Sequence, residues 1–135
     1  MGISVPTTNL KKWTFANGLR WEHSCTGDYV HYLWRTTQDL TDMDEIVFTW
    51  QAYSQPGHDV DVWLDLVLYP STVLHSGTKA NGTVSSAITE SGIVDISSYT
   101  GIQDIGIIYN EEDNGGAPAF TETRYIYVWA KKGLI

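Results

Sequence analysis

Val60-Asp61-Val62-Trp63-Leu64-Asp65-Leu66-Val67-Leu68-Tyr69 alternates aliphatic residues with polar or aromatic ones along its length. A period of two is the signature of a β-strand, whose successive side chains point to opposite faces. Gln55-Pro56-Gly57 before the run and Pro70-Ser71 after it stop the pattern. Val60, Val62, Leu64, Leu66 and Leu68 therefore share a core face, and Asp61, Trp63, Asp65, Val67 and Tyr69 share the other.

The same alternation recurs on both sides of this run. Asp44 to Tyr53 sets Ile46, Phe48, Trp50 and Ala52 against Val47, Thr49, Gln51 and Tyr53, and Arg124 to Ala130 sets Ile126, Val128 and Ala130 against Tyr125, Tyr127 and Trp129. Further strands are expected at Trp13–Ala16, Leu19–His23, Tyr29–Arg35, Thr83–Ile88, Gly92–Ile96 and Ile105–Asn110. Glu111-Glu112-Asp113-Asn114-Gly115-Gly116-Ala117-Pro118 reads as a loop, because adjacent carboxylates repel and the glycines and proline pair poorly in a sheet. With about eight or nine antiparallel strands and short turns between them, the expected fold is all-β, a jelly-roll β-sandwich in two sheets. Residues 1–135 are expected to form one domain, the chain length matching a single core.

Composition narrows the function. The formal net charge is −8, with only 8 Lys and Arg in sparse positions, which argues against a phosphate-backbone partner. No stretch approaches the apolar length of a membrane helix. Cys25 stands alone, so no intrachain disulfide and no thiolate zinc site is available, and it is expected to be a reduced thiol without a role. The N-terminal Met1-Gly2-Ile3-Ser4-Val5-Pro6 has no signal-peptide pattern, and Pro6 stands where myristoylation wants Ser or Thr. The expectation is a protein that acts where it is made, leaves by lysis, or is excised from a longer exported chain.

Three stretches together resemble the galactose-binding-like jelly roll of carbohydrate-binding modules and of phage and virus structural proteins. Asp39-Leu40-Thr41-Asp42-Met43-Asp44-Glu45-Ile46-Val47-Phe48 is similar to the lead-in to a central strand of those domains. Val94-Asp95-Ile96-Ser97-Ser98-Tyr99-Thr100-Gly101 with Ile105-Gly106-Ile107 resembles a later segment, and Tyr125-Ile126-Tyr127-Val128-Trp129 takes the place of the last strand. The chain departs from the common closing pattern at Thr121-Glu122-Thr123-Arg124, so no ligand or calcium residue carries over.

The candidate binding residues are aromatic side chains on strand faces opposite the aliphatic rows. Trp63, Tyr69, Tyr125, Tyr127 and Trp129 offer flat apolar rings with a polar atom, suited to a sugar face or a protein partner, and Asp61, Asp65 and Gln51 could bond sugar hydroxyls. No catalytic residue is assigned. Asp61 and Asp65 would lie roughly 13 Å apart by strand rise, too far for a glycosidase pair, and no nucleophile elbow occurs. His23, His31, His58 and His75 are scattered, so no metal site is assigned. A loop calcium at Asp59 and Asp61, or at Glu111 to Asn114, is the one cofactor alternative, against an expectation of none. Asn81-Gly82-Thr83 reads as a turn before a glycosylation site.

A compact chain without catalytic constellation, rich in aromatic contact residues and resembling that fold, leads to the expectation of a non-catalytic virion structural or accessory protein, a capsid decoration or a tail or receptor-binding component. Its partners would be other protein subunits, its own or other virion proteins, with no nucleic acid and no membrane, and its place the virion, assembled in the host cytoplasm. The alternative is an extracellular glycan-binding module.

Overall fold

A computed structural model describes residues 10–14, 19–23, 27–41, 43–115 and 119–131, with side-chain environments from Arg35 onward. Cys25, Ala16, the N-terminal Met1–Pro6, the side chains of His23 and His31, and the tail of the acidic segment at 116–118 lie outside that description.

Every element among the described residues is a strand: β1 (Leu10–Thr14), β2 (Leu19–His23), β3 (Gly27–Asp39), β4 (Glu45–Ser54), β5 (Val60–Leu68), β6 (Thr72–Ser76), β7 (Ala80–Asn81), β8 (Ala87–Asp95), β9 (Ile102–Asp113) and β10 (Ala119–Lys131). The first sheet runs β1-β10-β4-β8, with β2 also on β10, and the second runs β3-β9-β5-β6, with β7 also on β5. All pairings are antiparallel. The long β10 carries β2 on its first half and β1 on its second.

The core lies between the sheets. Val62, Leu64, Leu66 and Ile107 from the second sheet meet Ile126 and Val128 from the first, each at most 1% exposed and all in one cluster. Trp50 and Phe48 stack at 4.4 Å within it. Period-two alternation places these residues, since β4 and β5 bury every second side chain.

Two segments named by the family resemblance close one end of the sandwich. Asp39 Oδ1 accepts from the Thr41 N–H at 3.0 Å and from its hydroxyl, and Asp95 Oδ1 accepts from the Ser97 N–H at 2.8 Å and from its hydroxyl. Such side-chain turns replace the backbone bonds that a strand loses as it ends. These bonds hold the exposed Asp95 carboxyl below the usual carboxylate range. The turns are joined by Leu40 N–H donating to the Gly101 carbonyl at 2.9 Å and by Gly101 N–H donating to Thr41 Oγ1. Gly101 takes φ of 74°, a conformation costly for residues with a Cβ.

The structure corrects the expected elements in three places. Thr83–Ile88 and Gly92–Ile96 are not two strands: residues 83–86 turn, and Ala87–Asp95 runs on through Gly92, whose missing Cβ leaves room for the Phe48 ring. Thr72–Ser76 and Ala80–Asn81 are short strands that were not expected. Glu111–Asp113 is not loop but the end of β9, because pairing with β3 and β5 sends Glu111 and Asp113 inward and Glu112 outward.

At the opposite end, Asn81 Oδ1 accepts from the N–H and hydroxyl of Thr83, the turn expected for Asn81-Gly82-Thr83. A Cβ on Gly82 would collide with the Gln55 and His58 carbonyl oxygens, both backbone atoms. Gly82→Ala should therefore lower the urea midpoint by the equivalent of about 1–3 kcal/mol. An unchanged midpoint would mean that the two loops separate freely.

Candidate functional site

The outer face of the first sheet carries an aromatic ladder. Tyr125, Tyr127 and Trp129 succeed one another on β10 as half-buried side chains, with ring centroids 5.9 and 6.1 Å apart and planes within 29° and 24° of parallel. A bulge between Thr123 and Tyr125 puts Arg124 out of phase, and the stripe continues beyond it. The Arg124 guanidinium lies 3.7 Å from the Tyr53 ring centroid and bonds Glu122, while Tyr53 stacks on Phe120 at 6.2 Å. Beside the ladder runs a polar column in which Gln51 Nε2 donates to Thr89 Oγ1 at 2.9 Å and Ser91 Oγ donates to Thr49 Oγ1 at 2.8 Å.

Trp63, Asp61 and Asp65 stand elsewhere. They lie on β5 in the second sheet, on the opposite outer face of the sandwich. Lys79 Nζ sits 4.4 Å from the Trp63 ring centroid and 3.6 Å from Glu112. Asp65 accepts from Asn110 Nδ2 at 3.0 Å and Ser76 Oγ at 2.7 Å. Asn81 Nδ2 lies 2.8 Å from both Asp59 Oδ1 and Asp61 Oδ1, and Asn114 Nδ2 reaches the same two side chains. Amide donors thus bridge the two carboxylates, and among the described residues no group of His, Cys, Asp and Glu is arranged to hold a metal. Tyr69, 44% exposed, lies past the far end of β5 under the Arg35 guanidinium, which bonds Asp104 at 2.6 Å.

The candidate residues therefore divide into two faces: Tyr125, Tyr127 and Trp129 on one, and Trp63, Asp61 and Asp65 on the other, with Tyr69 apart. Gln51 belongs with the ladder and not with Asp61 and Asp65. Alternation within a strand fixes which residues share a face of that strand, but not which sheet the strand joins. Phe120 and Arg124 were missed because the bulge shifts the alternation before Tyr125.

A buried polar group between the sheets also went unread. Tyr109 and Glu111 on β9 face Thr121 on β10, the Tyr109 hydroxyl bonding Thr121 Oγ1. Burial pushes the Tyr109 phenol up and raises Glu111 to about 7, against the bonds from Thr121 and Tyr109 and assisted by the Asp113 charge. With an ordinary value of 4.5, Glu111 binds its proton more tightly folded than unfolded. Its contribution is present in full below that value and is lost as pH rises through about 7, by roughly 2–3 kcal/mol overall. Urea midpoints from pH 4 to 8 should therefore fall more steeply in the wild type than in Glu111→Gln. Parallel curves would contradict the assignment.

No known family profile and no curated protein sequence matches the chain. Solved structures do. The infectious bursal disease virus Gt strain structure aligns at TM-score 0.66 and 13% identity over 92% of this chain, and a VP2 subviral particle of that virus aligns at 0.60 and 12%. This chain spans a third of the length of those proteins, covering 33% of each. TmCBM61, solved in complex with β-1,4-galactotriose, aligns at TM-score 0.54 and 12% identity over 95% of this chain and 86% of its own. With two antiparallel sheets closing on one core and these neighbours in shape, the chain is a jelly-roll β-sandwich.

Proposed function

We propose that this chain, as one domain working without a cofactor, is a non-catalytic virion structural or accessory protein, a capsid decoration or a tail or receptor-binding component. It engages other protein subunits through the aromatic face of the first sheet. The observation that carries this reading is the stacked Tyr125–Tyr127–Trp129 ladder, extended by Tyr53, Phe120 and Arg124. Aromatic rings and arginine dominate the centres of protein interfaces, where large rigid area is buried at little entropic cost. The fold likeness to viral particle proteins supports it at the level of architecture.

A second reading, an extracellular glycan-binding module, has its own observation. Trp63 is a half-buried ring whose surrounding Asp61, Asp65, Asn81 and Asn110 are already fixed by mutual hydrogen bonds, a preorganised setting for sugar hydroxyls beside an apolar platform. Light scattering after size exclusion, combined with a glycan array, separates the two. Concentration-dependent association that Trp129→Ala weakens, without glycan binding, supports the subunit reading. A monomer that binds a saccharide, and loses it in Trp63→Ala, overturns that reading in favour of the module.

A further inference from the structure

β8 ends the first sheet, and among the described residues its ladder runs to β4 alone. Its backbone polarity is set by bonds that flank it. Ser54 N–H donates to the Ser86 carbonyl and Ile96 N–H to the Asp44 carbonyl, both at 2.8 Å. Even-numbered residues therefore exchange bonds with β4, and Ala87, Thr89, Ser91, Ile93 and Asp95 aim their N–H and C=O groups at the outer edge.

Among the described residues no strand covers this edge. No β8 side chain is buried, although Ile88 and Val94 face the core cluster, whereas the inward residues of β4 and β5 are sealed. Natural edge strands are blunted by lysine, proline, a bulge or an inward-pointing charge, and the inward charge of β8, Glu90, is held by the Trp50 and Thr78 N–H groups. Ala87–Asp95 contains no Lys, Arg or Pro, its ladder to β4 has no register shift, and Ile93 is 51% exposed.

We propose that β8 is a self-association edge that pairs antiparallel with β8 of a second copy, about a two-fold axis at Ser91. This goes beyond the function proposed above and holds whichever partner the aromatic face takes. The strand is complementary to itself in that register. Ser91 meets Ser91 of the second copy, Thr89 meets Ile93 and Ala87 meets Asp95, so every outward-aimed group faces another over the whole strand. On the core side Ile88 lies opposite Val94 and extends the apolar layer. Glu90 falls opposite Gly92, and no two carboxylates are paired. Moving the axis to Glu90 would set two carboxylates directly against each other, and other axes shorten the ladder. A two-fold normal to the sheet keeps both aromatic ladders on the same side of one continuous sheet.

Sedimentation equilibrium on the full chain tests this. The wild type should dimerise, and Ser91→Pro and Ile93→Lys should each raise the dimer dissociation constant at least about tenfold. Proline at 91 removes a donor of the outer edge and none of the β4 ladder. If that variant does not fold, Ile93→Lys decides alone. In a Cys25→Ser background, Ser91→Cys should link two chains on oxidation, because a hydrogen-bonded antiparallel pair lies within disulfide reach at a Cα separation of about 5.5 Å, and Thr89→Cys should not. A wild type that stays monomeric, a dimer indifferent to both edge variants, or equal linking at 89 and 91 would overturn the proposal. Trp129→Ala should leave this dimer intact, so a failure here is distinct from a failure of the aromatic-face reading.

Discussion

Replacing Trp50 with alanine is expected to lower the unfolding free energy by about 3–5 kcal/mol, the range for truncating a large aromatic in a closed core. Trp50 is 1% exposed, stacks on Phe48 at 4.4 Å and lies 5.9 Å from the His75 ring. It is also tied across the seam between the sheets. Its Nε1 donates to Glu90 Oε1 at 3.1 Å, the same oxygen that accepts from the Thr78 N–H at 2.8 Å, while His75 Nε2 lies 3.4 Å from Glu90 Oε2. Alanine would open a cavity beside Phe48 and remove one of the donors that hold the Glu90 carboxylate. Trp50→Phe keeps much of the ring and loses the bond, so its midpoint should fall between the other two, nearer the wild type by the difference between packing and about 1 kcal/mol of hydrogen bond. Urea unfolding of the three proteins checks the order. Equal midpoints for Trp50→Phe and Trp50→Ala would assign the whole effect to the hydrogen bond and none to packing.

Much of this architecture was legible because burial in a two-layer sandwich is a period-two property. Val62, Leu64, Leu66, Ile107, Ile126 and Val128 could be assigned to one core from alternation alone, and each is buried. The stretches around Asp39 and Asp95 stood out by resemblance alone, and the structure shows why they recur: in each, a carboxylate two residues before a hydroxyl residue closes its own turn. Relations between strands were hidden. Nothing in Val60–Leu68 or Ala119–Lys131 states that one strand joins β9 and the other β4, so Trp63 and Trp129 read as members of one surface and stand on two. Glu111 and Asp113 read as hydrated loop because charge argues against burial. In the folded chain, strand pairing carries them inward, where Tyr109 and Thr121 meet Glu111.

The aromatic face is the central claim, and Trp129→Ala is the variant that bears on it most sharply. Trp129 is half-buried at the end of a ladder, its centroid 6.1 Å from Tyr127, on the side of β10 away from Ile126, Val128 and Ala130. A ring so placed contributes part of its area to the fold and keeps the rest for a partner. If the ladder is a contact surface, alanine at this position should weaken association beyond the β8-paired dimer by about 2–4 kcal/mol, the effect of losing a central aromatic anchor, and shift stability by less. Trp63→Ala, on the opposite face, should leave that association unchanged. The decisive measurement is the pair of quantities taken on Trp129→Ala: its association by light scattering over a concentration series, and its urea midpoint. Weakened association at a nearly preserved midpoint is the result expected here, and a collapsed midpoint with association among the remaining folded chains unchanged would contradict it.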